Sequence, residues 1–460
     1  MNFKLVFTFK EYLYIIRNRI RYGVHLVRDL KEAKINESLS FEEMEALNFV
    51  KRKEIVEYAY NNTFFYKHYY DKMGFNPSML KSPSDWDKVP IIVKEDLRNS
   101  FDDIIVKKAW PQDCEVTSTG GSTGSPLKII KDKRAPYDAI LARSLCWYGI
   151  SFADNRAYVG RGVTTNKKWK QLLRRLYYWP TKVIGLNSGS ITDSQLDAFV
   201  KKIEREKMVI LSGYVATIMQ VARYVVTHSI GISCVKLVWV TSAPISEGDR
   251  EVIKHAFNCE IMDQYGSGEV SCLAMESPEH LGLYVPSDYR HIDIVDDMNN
   301  PSGLDTLGNI VVTDLQNKAF PIIRYKNADK SKMLSRRGRL PFPLIAPIQG
   351  RVSDYIITPS GILVDGIYLT TLFDDFADAV IGFQIIQHND YSITVRIIPS
   401  PTEKSLVNKA KLSAMESLRK MTSNSVKIQV LEVDSLLSDR GKTRYIINEL
   451  TNNVRRDNLR

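Results

Sequence analysis

A run of alternating helical and strand patterns between residues 192 and 265 is the feature that most constrains the fold of this chain. The apolar residues recur at helical spacing in some segments and form short buried runs in others. The successive patterns are a capping box at Thr192 and Gln195 with an apolar stripe after it, a strand at 209–211, a helix opened by Gly213, a strand at 236–240 and a helix begun by Ser246 and Asp249. This order predicts an α/β fold, with helices packed on a sheet.

The loop after the last of these patterns is a candidate binding site. It follows the apolar pair at 261–262 and runs from Tyr265 through Gly266 and Gly268 to Glu269. Open α/β sheets bind ligands at the carboxyl ends of their strands, and this loop has that position in the predicted order.

A second candidate site is the stretch from Thr117 to Lys128, in which glycines alternate with hydroxyl residues. Glycines let successive N–H groups converge on an anion, and Ser and Thr hydroxyls add donors, so the stretch suggests a phosphate cradle. It lacks the Gly-Lys-Ser/Thr ending of a Walker A loop. A flexible linker is the alternative reading of such a composition.

The segment 120–124 also satisfies Gly-x-Ser-x-Gly, the nucleophile elbow of α/β-hydrolases. That elbow requires a helix after its serine, whereas residues 127–130 have the pattern of a strand. A hydrolase is therefore the weaker interpretation.

Composition limits the class of protein. The chain has 460 residues, of which 44% are hydrophobic, enough for a large core and two or more domains. Its net charge of +10 favours anionic partners, but the charge is dispersed and no nucleic-acid recognition motif is present. The five cysteines are widely spaced and include no Cys-x-x-Cys pair, which predicts a reducing cytoplasm.

The N-terminal segment has two readings. Lys4, Lys10 and Glu11 interrupt its apolar residues before a signal-peptide core or spanning helix can form. Between residues 11 and 28 an apolar stripe is interleaved with arginines: Leu13, Ile16, Ile20, Val24 and Val27. Such a helix either docks on its own domain or contacts the inner face of a membrane peripherally.

Five motifs in one order identify a family resemblance. They lie at residues 117–128, 263–269, 324–329, 350–354 and 441–444. Together they resemble the adenylate-forming ligase superfamily, and most closely its phenylacetate-CoA ligase-like, CapK-type branch. The resemblance runs from about residue 53 to Lys442 and implies an α/β adenylation domain at 1–350, with residues 1–45 as a helical extension. A small mobile α+β domain at 351–460 would follow it.

The resemblance implies a nucleotide site. The family's first loop matches Thr119, Gly120, Gly121, Ser122, Thr123 and Gly124, which would bind the β- and γ-phosphates. Ser242 and Ala243 would contact adenine through backbone groups, and Tyr265 and Gly266 would lie beside the adenine and acyl pockets. Asp329 would accept hydrogen bonds from the ribose hydroxyls, although Ala328 replaces the family's usual glycine before it.

The remaining assignments concern catalysis. By resemblance, Glu269 would hold Mg²⁺ and Lys442 would bridge the carboxylate and the α-phosphate. Arg351 would reach the ribose or a phosphate, and Asp354 would mark the hinge of the small domain.

The residues that line the acyl pocket are harder to assign from the sequence. Trp147, Tyr148 and Tyr214 can supply an aromatic lining, or simply pack in the core. Cys272, Glu276 and His280 follow one another at helical steps and mimic a metal site, but they lack a fourth ligand.

The function implied is ATP- and Mg²⁺-dependent conversion of a carboxylate to an acyl-adenylate, followed by transfer to CoA or to an amine. CapK-type members suggest surface polysaccharide pathways, in which an amino sugar would be the acceptor. The alternative is a binding or scaffold protein that kept the fold and lost the chemistry. A homodimer is compatible with the sequence, which does not fix the oligomeric state.

Overall fold

The architecture of the computed structural model is mixed α/β, as the sequence predicts. The structure describes residues 7–22, 25–106, 114–119, 127–160, 168–187, 191–348, 355–361, 363–365, 369, 372–373, 376, 379–400, 403–439, 442–443 and 446–450. All statements below concern these residues.

The helices are α1 Phe9–Tyr22, α2 Leu26–Asn36, α3 Phe41–Asn62, α4 Phe64–Lys72, α5 Lys94–Asn99, α6 Phe101–Ile104, α7 Tyr137–Trp147, α8 Lys168–Tyr178, α9 Asp193–Arg205, α10 Val215–Thr227, α11 Glu247–Phe257 and α12 Lys404–Met421. The strands are β1 Cys114–Thr119, β2 Leu127–Asp132, β3 Arg156–Gly160, β4 Val183–Asn187, β5 Ile210–Tyr214, β6 Leu237–Thr241, β7 Glu260–Tyr265, β8 Ala274–Glu276, β9 Leu283–Tyr284, β10 Arg290–Val295, β11 Gly308–Asp314, β12 Tyr325–Ser331, β13 Leu344–Ile345, β14 Tyr355–Ile357, β15 Leu363–Asp365, β16 Val380–Gln387, β17 Ile393–Pro399, β18 Ile428–Glu432, β19 Ser438–Asp439, β20 Lys442–Thr443 and β21 Ile446–Asn448.

An eight-stranded sheet organises the larger part of the chain. Its strand order is β13-β9-β8-β7-β6-β5-β3-β4. Strands β4, β3, β5, β6 and β7 are parallel, whereas β8, β9 and β13 are added antiparallel. The parallel strands therefore end at one common edge, where a ligand site is expected.

Two of the three predicted helix starts are confirmed. Thr192 accepts a hydrogen bond from the backbone of Gln195 in a complete capping box, and Ser246 and Asp249 form another at the start of α11. The prediction for Gly213 was wrong, because this residue lies inside β5 and the helix begins at Val215. A Cβ on Gly213 would lie 2.7 Å from the carbonyl oxygen of Val159, so the glycine permits close approach of β3 to β5.

The glycine-rich stretch lies between two paired strands. β1 and β2 are antiparallel, and Thr119 is opposite Leu127. The strand predicted at 127–130 is confirmed, so a strand and not a helix follows the serine of the Gly-x-Ser-x-Gly segment. This order is incompatible with a hydrolase nucleophile elbow.

A three-stranded antiparallel sheet, β10-β11-β12, lies beside the large sheet. Its apolar residues share a core with those of the β1–β2 hairpin and with Tyr265 and Val270. This packing brings β12, the hairpin and the end of β7 together.

The C-terminal part contains the four-stranded sheet β18-β17-β16-β21 and helix α12. Its own apolar cluster includes Phe373, Val395 and Leu418. The predicted domain boundary at 350/351 lies outside the described residues and stays a prediction.

The N-terminal extension is helical, as predicted, and is divided into α1 and α2. Among the described helices, none has the length and apolar character that crossing a membrane requires.

Candidate nucleotide site

The carboxyl ends of β5, β6 and β7 form the base of the candidate site. Tyr214 is paired with Thr241, and Thr241 is paired with Gln264. The Thr241 hydroxyl donates to the backbone oxygen of Gln264 over 2.9 Å, which ties the two strand ends together. Ser242 follows with a φ of 79°, so the chain turns sharply at the edge where Ser242 and Ala243 were predicted to contact adenine.

A hydrogen-bonded triad connects β7 to β12. The buried Tyr265 hydroxyl donates to Asp329 Oδ2 over 2.9 Å and accepts from Asn327 Nδ2 over 2.6 Å. The backbone N–H of Asp329 donates to Asn327 Oδ1 over 3.2 Å, which closes the group. The structure thus unites Tyr265 and Asp329, which are 64 residues apart in the sequence.

The same surroundings hold the tyrosine in its protonated form. Burial, and next the charge of Asp329, raise the pKa of Tyr265 well above its ordinary value. The phenol therefore remains a donor at neutral pH and fixes the direction of the carboxylate. A carboxylate has about four acceptor positions, so Asp329 can accept from a diol as well as from Tyr265.

Glu269 lies in a tight turn beside this triad. Ser267 N–H donates to the Val270 carbonyl over 2.9 Å, and the Ser267 hydroxyl accepts from Val270 N–H over 3.0 Å. The half-buried Glu269 accepts a long hydrogen bond of 3.4 Å from the Tyr325 hydroxyl. A Cβ on Gly266 would lie only 3.2 Å from Cys272 N, so a larger residue would crowd this turn.

Strand β12 explains why these contacts converge. Tyr325, Asn327 and Asp329 occupy alternate positions of a strand whose register shifts between Lys326 and Lys330, and their side chains nevertheless converge on the same neighbours. Those neighbours are Tyr265 and Glu269. The preceding Arg324 has a structural role, since it is buried and donates to the carbonyls of Trp86 and Val89 over 3.1 and 2.9 Å.

The β1–β2 hairpin contributes a cation that sequence reasoning missed. Lys131 Nζ donates to Ser271 Oγ over 3.1 Å, beside the Glu269 turn. Burial lowers the pKa of Lys131, while acidic groups including Glu115 and Glu269 oppose that shift. No clear signal for Lys131 is present in the sequence, because residues of both parities are buried in this strand, including Ile129 and Ile130.

Comparison with known proteins agrees with this geometry. The protein-family model described as the CapK C-terminal domain matches residues 356–449 of this chain. Protein CapK of Staphylococcus aureus is 24% identical over 396 residues, covering 83% of this chain and 83% of that protein. The phenylacetate-coenzyme A ligase of Escherichia coli K12 is 25% identical over 331 residues, covering 70% of this chain and 74% of the ligase.

The fold has a close counterpart among solved structures. 2-Hydroxyisobutyryl-CoA ligase in the postadenylation state, in complex with R3-HIB-AMP, aligns with a TM-score of 0.59 at 17% identity. The alignment covers 92% of this chain and 93% of that one. The chain has the fold of the adenylate-forming CoA ligases. In sequence it resembles CapK and the phenylacetate-CoA ligases.

Several residues assigned from the family motifs lie outside the described part of the chain. These are Gly120, Gly121, Ser122, Thr123, Gly124, Arg351 and Asp354. Thr119 and Lys442 are described in their backbones only, Thr119 at the end of β1 and Lys442 at the start of β20. Their roles in this adenylate-forming chain stay predictions.

The donor set is compatible with Mg²⁺. The described residues contain no group of three or more His, Cys, Asp or Glu side chains arranged to hold a metal. Mg²⁺ is usually bound by one or two carboxylates together with substrate phosphates and water, and the half-buried Glu269 carboxylate fits such a site.

The structure does not bring Trp147 or Tyr148 to the site edge. The Tyr148 hydroxyl donates to the carbonyls of Ile261 and Glu276, near the opposite end of β7. The Trp147 indole donates to Glu37 over 2.6 Å and its ring packs on Tyr284. Both contacts are those of packed core residues, whereas Tyr214 lies at the site edge.

Cys272, Glu276 and His280 do not form a metal site in the described structure. Glu276 accepts from Arg250 over 2.9 Å and lies 2.8 Å from His280 Nδ1. The carboxylate thus belongs to an ion-pair network. Beside it, burial and next the charge of Glu276 raise the pKa of Asp263 to about 7.

Proposed function

We propose that this chain is an ATP-dependent ligase that activates a carboxylate as an acyl-adenylate and then transfers the acyl group to CoA or to an amine. The observation that carries the proposal is the junction of Tyr265, Asn327 and Asp329 beside Glu269, at the carboxyl edge of the parallel strands. Similarity to phenylacetate-coenzyme A ligases in sequence, and to 2-hydroxyisobutyryl-CoA ligase in fold, supports acyl-adenylate formation and CoA ligation as the class of reaction.

The first step joins the acid to AMP. A carboxylate oxygen attacks the α-phosphorus of ATP, the bond from that phosphorus to the bridging oxygen breaks, and its electron pair leaves with pyrophosphate. The two reactants are both anions, so their repulsion must be relieved. Mg²⁺, held by Glu269 and the phosphates, would supply charge neutralisation. Lys442 would supply a second positive charge from the small domain.

The triad serves to bind and orient the nucleotide in this proposal. Asp329 would accept hydrogen bonds from both ribose hydroxyls, and Tyr265 holds the carboxylate in position by donating to Oδ2. The β1–β2 hairpin would place residues 119–124 against the β- and γ-phosphates. Lys131 adds positive charge beside the Glu269 turn.

The second step determines the product. A CoA sulfur or an amine nitrogen attacks the carbonyl carbon of the adenylate, the carbon–oxygen bond to AMP breaks, and AMP leaves with that electron pair. The proton of the nucleophile passes to water. The relationship to phenylacetate-coenzyme A ligases favours a thiol, whereas an amino sugar acceptor rests on the CapK-type resemblance of the sequence motifs alone.

The test is carboxylate-dependent exchange of labelled pyrophosphate into ATP across a panel of aryl, fatty and amino acids. Glu269→Ala and Lys442→Ala should abolish the exchange. Glu251→Ala and Lys420→Ala are matched controls, because both side chains are exposed on helices, and they should exchange like the wild type. With the acid identified, mass spectrometry of reactions with CoA or an amino sugar distinguishes thioester from amide.

Two results would contradict the proposal. ATP binding without exchange for any acid would favour a binding protein that kept the fold and lost the chemistry. Exchange that persists in both active-site variants would show that the assigned residues do not perform the activation.

A further inference from the structure

Helix α8 presents its apolar side to solvent. At 100° per residue, four apolar residues fall on one face of this helix. Their exposed fractions are 59% for Trp169, 59% for Leu172, 55% for Leu173 and 60% for Leu176. Apolar helix faces ordinarily pack towards a protein core, so this helix has the reverse orientation.

Helix α1 has a second exposed apolar face. Phe9, Tyr12, Ile16 and Ile20 also fall on one side of their helix, and they are 80%, 57%, 46% and 79% exposed. The opposite side is anchored, because Tyr14 packs on Phe152 at 5.4 Å between ring centroids. The exposed face is therefore fixed in its orientation by the rest of the domain.

The two helices are joined at one end. Arg17 Nη1 on α1 donates to the carbonyl of Tyr178, the last residue of α8, over 2.7 Å. It also reaches the carbonyl of Trp179, which is itself 54% exposed, over 3.4 Å. We call the surface formed by Phe9, Tyr12, Ile16, Ile20, Trp169, Leu172, Leu173, Leu176 and Trp179 the α1–α8 face.

Charge distinguishes between classes of partner for this face. Helix α8 contains no acidic residue, and its basic residues are Lys168, Lys170, Arg174 and Arg175. Helix α1 adds the exposed Arg19, while its Lys10 and Arg17 donate to Asn155 and to the Tyr178 carbonyl. Its single acid, Glu11, accepts from the Ser151 hydroxyl over 2.7 Å. Exposed apolar side chains among basic ones are typical of helices that lie in the interface of an anionic bilayer.

We propose that the α1–α8 face docks the protein on an anionic phospholipid surface. Both helices would lie in the plane of the interface, with tryptophan and aliphatic side chains among the acyl chains and basic side chains at the phosphates. The docked end of α1 contacts Asn155, just before β3, so it lies at the amino ends of the strands. The candidate nucleotide site lies at their carboxyl ends, which leaves it open to soluble substrates.

The proposal is tested by co-sedimentation of the full chain with vesicles of phosphatidylcholine and phosphatidylglycerol at about 7:3. The variants are Leu172→Ser/Leu176→Ser on α8 and Ile16→Ser/Ile20→Ser on α1. The control is Leu304→Ser/Leu412→Ser, whose leucines are 62% and 67% exposed on other elements, one between β10 and β11 and one on α12. Near-ultraviolet circular dichroism verifies that each variant is folded.

The expected result is binding of the wild type and the control to the mixed vesicles, with binding of each face variant weakened about tenfold or more. Raising the salt from about 0.1 M to about 0.5 M should weaken binding, because screening reduces the attraction of the arginines and lysines to the headgroups. Brominated lipids should quench tryptophan fluorescence in the wild type, and Trp169→Phe/Trp179→Phe should remove most of that quenching.

Other results would overturn the proposal. The proposal fails if the folded wild type stays in the supernatant with mixed vesicles. It also fails if the wild type and both face variants bind the vesicles equally. Concentration-dependent self-association that the face variants abolish, without vesicle binding, would instead identify the face as a contact between copies of this chain.

Discussion

Replacing Tyr265 with Phe tests the central contact of the candidate site. The substitution keeps the ring and removes only the hydroxyl that donates to Asp329 and accepts from Asn327. A hydrogen bond to a charged group contributes about 1.5–3 kcal/mol. Water can replace part of the lost hydrogen-bond energy. We therefore expect the free energy of ATP binding to weaken by about 1.5 kcal/mol, which corresponds to about a tenfold rise in the KM for ATP.

The assay is pyrophosphate exchange at varied ATP, together with urea unfolding. We expect the rise in KM with a smaller change in kcat, because the contact is present before the chemistry begins. Tyr148→Phe is the matched control: it removes another buried hydroxyl, which donates to the carbonyls of Ile261 and Glu276. That control should lose stability without a change in the KM for ATP.

The reasoning is refuted if Tyr265→Phe leaves the KM for ATP unchanged, or if Tyr148→Phe raises it equally. A double-mutant cycle with Asp329→Asn gives a further test. Residues in direct contact should show a coupling energy of about 0.5 kcal/mol or more, whereas additive effects would show that Tyr265 does not act through Asp329.

Three further predictions concern single residues. Glu269→Gln should reduce pyrophosphate exchange about 100-fold or more while leaving ATP binding without Mg²⁺ unchanged, as measured by calorimetry. Asp263 has a pKa raised by burial to about 7, so its proton is retained in the folded chain and lost in the unfolded one between about pH 4 and pH 7. Its contribution to the free energy of unfolding should therefore fall by about 4 kcal/mol as the pH rises through that window, and urea unfolding of Asp263→Asn should show a flatter pH dependence. Gly213→Ala should lower the free energy of unfolding by about 1–3 kcal/mol because its Cβ meets a backbone oxygen, whereas Gly231→Ala has open space and should be nearly neutral.

Two helix starts could be predicted from the sequence, because the contacts that form them join residues close together in the chain. A capping box is a contact between residues three positions apart, so Thr192 and Ser246 mark helix starts in the sequence itself. The strand β12 was not predicted, although Tyr325, Asn327 and Asp329 recur at alternate positions in the sequence. The order of the predicted helices and strands was sufficient to predict the α/β class.

Contacts between residues far apart in the sequence could not be predicted without the family motifs. Nothing near Tyr265 in the sequence indicates that its hydroxyl meets Asp329, because chain topology decides which strand lies beside β7. Tyr148 and Tyr214 could not be distinguished from the sequence. The Tyr148 hydroxyl donates to carbonyls of the core, whereas Tyr214 lies at the site edge.

The sequence by itself determined the class of fold, the helix starts at Thr192 and Ser246 and the motifs that resemble those of adenylate-forming ligases, since each depends on spacing along the chain. Only the tertiary structure decided which faces are buried. The stripe of α8 has the same spacing whether it packs inward or outward, and the surrounding contacts turn it to solvent. Burial is a property of the whole packed molecule, because it depends on which distant segments cover a given side chain.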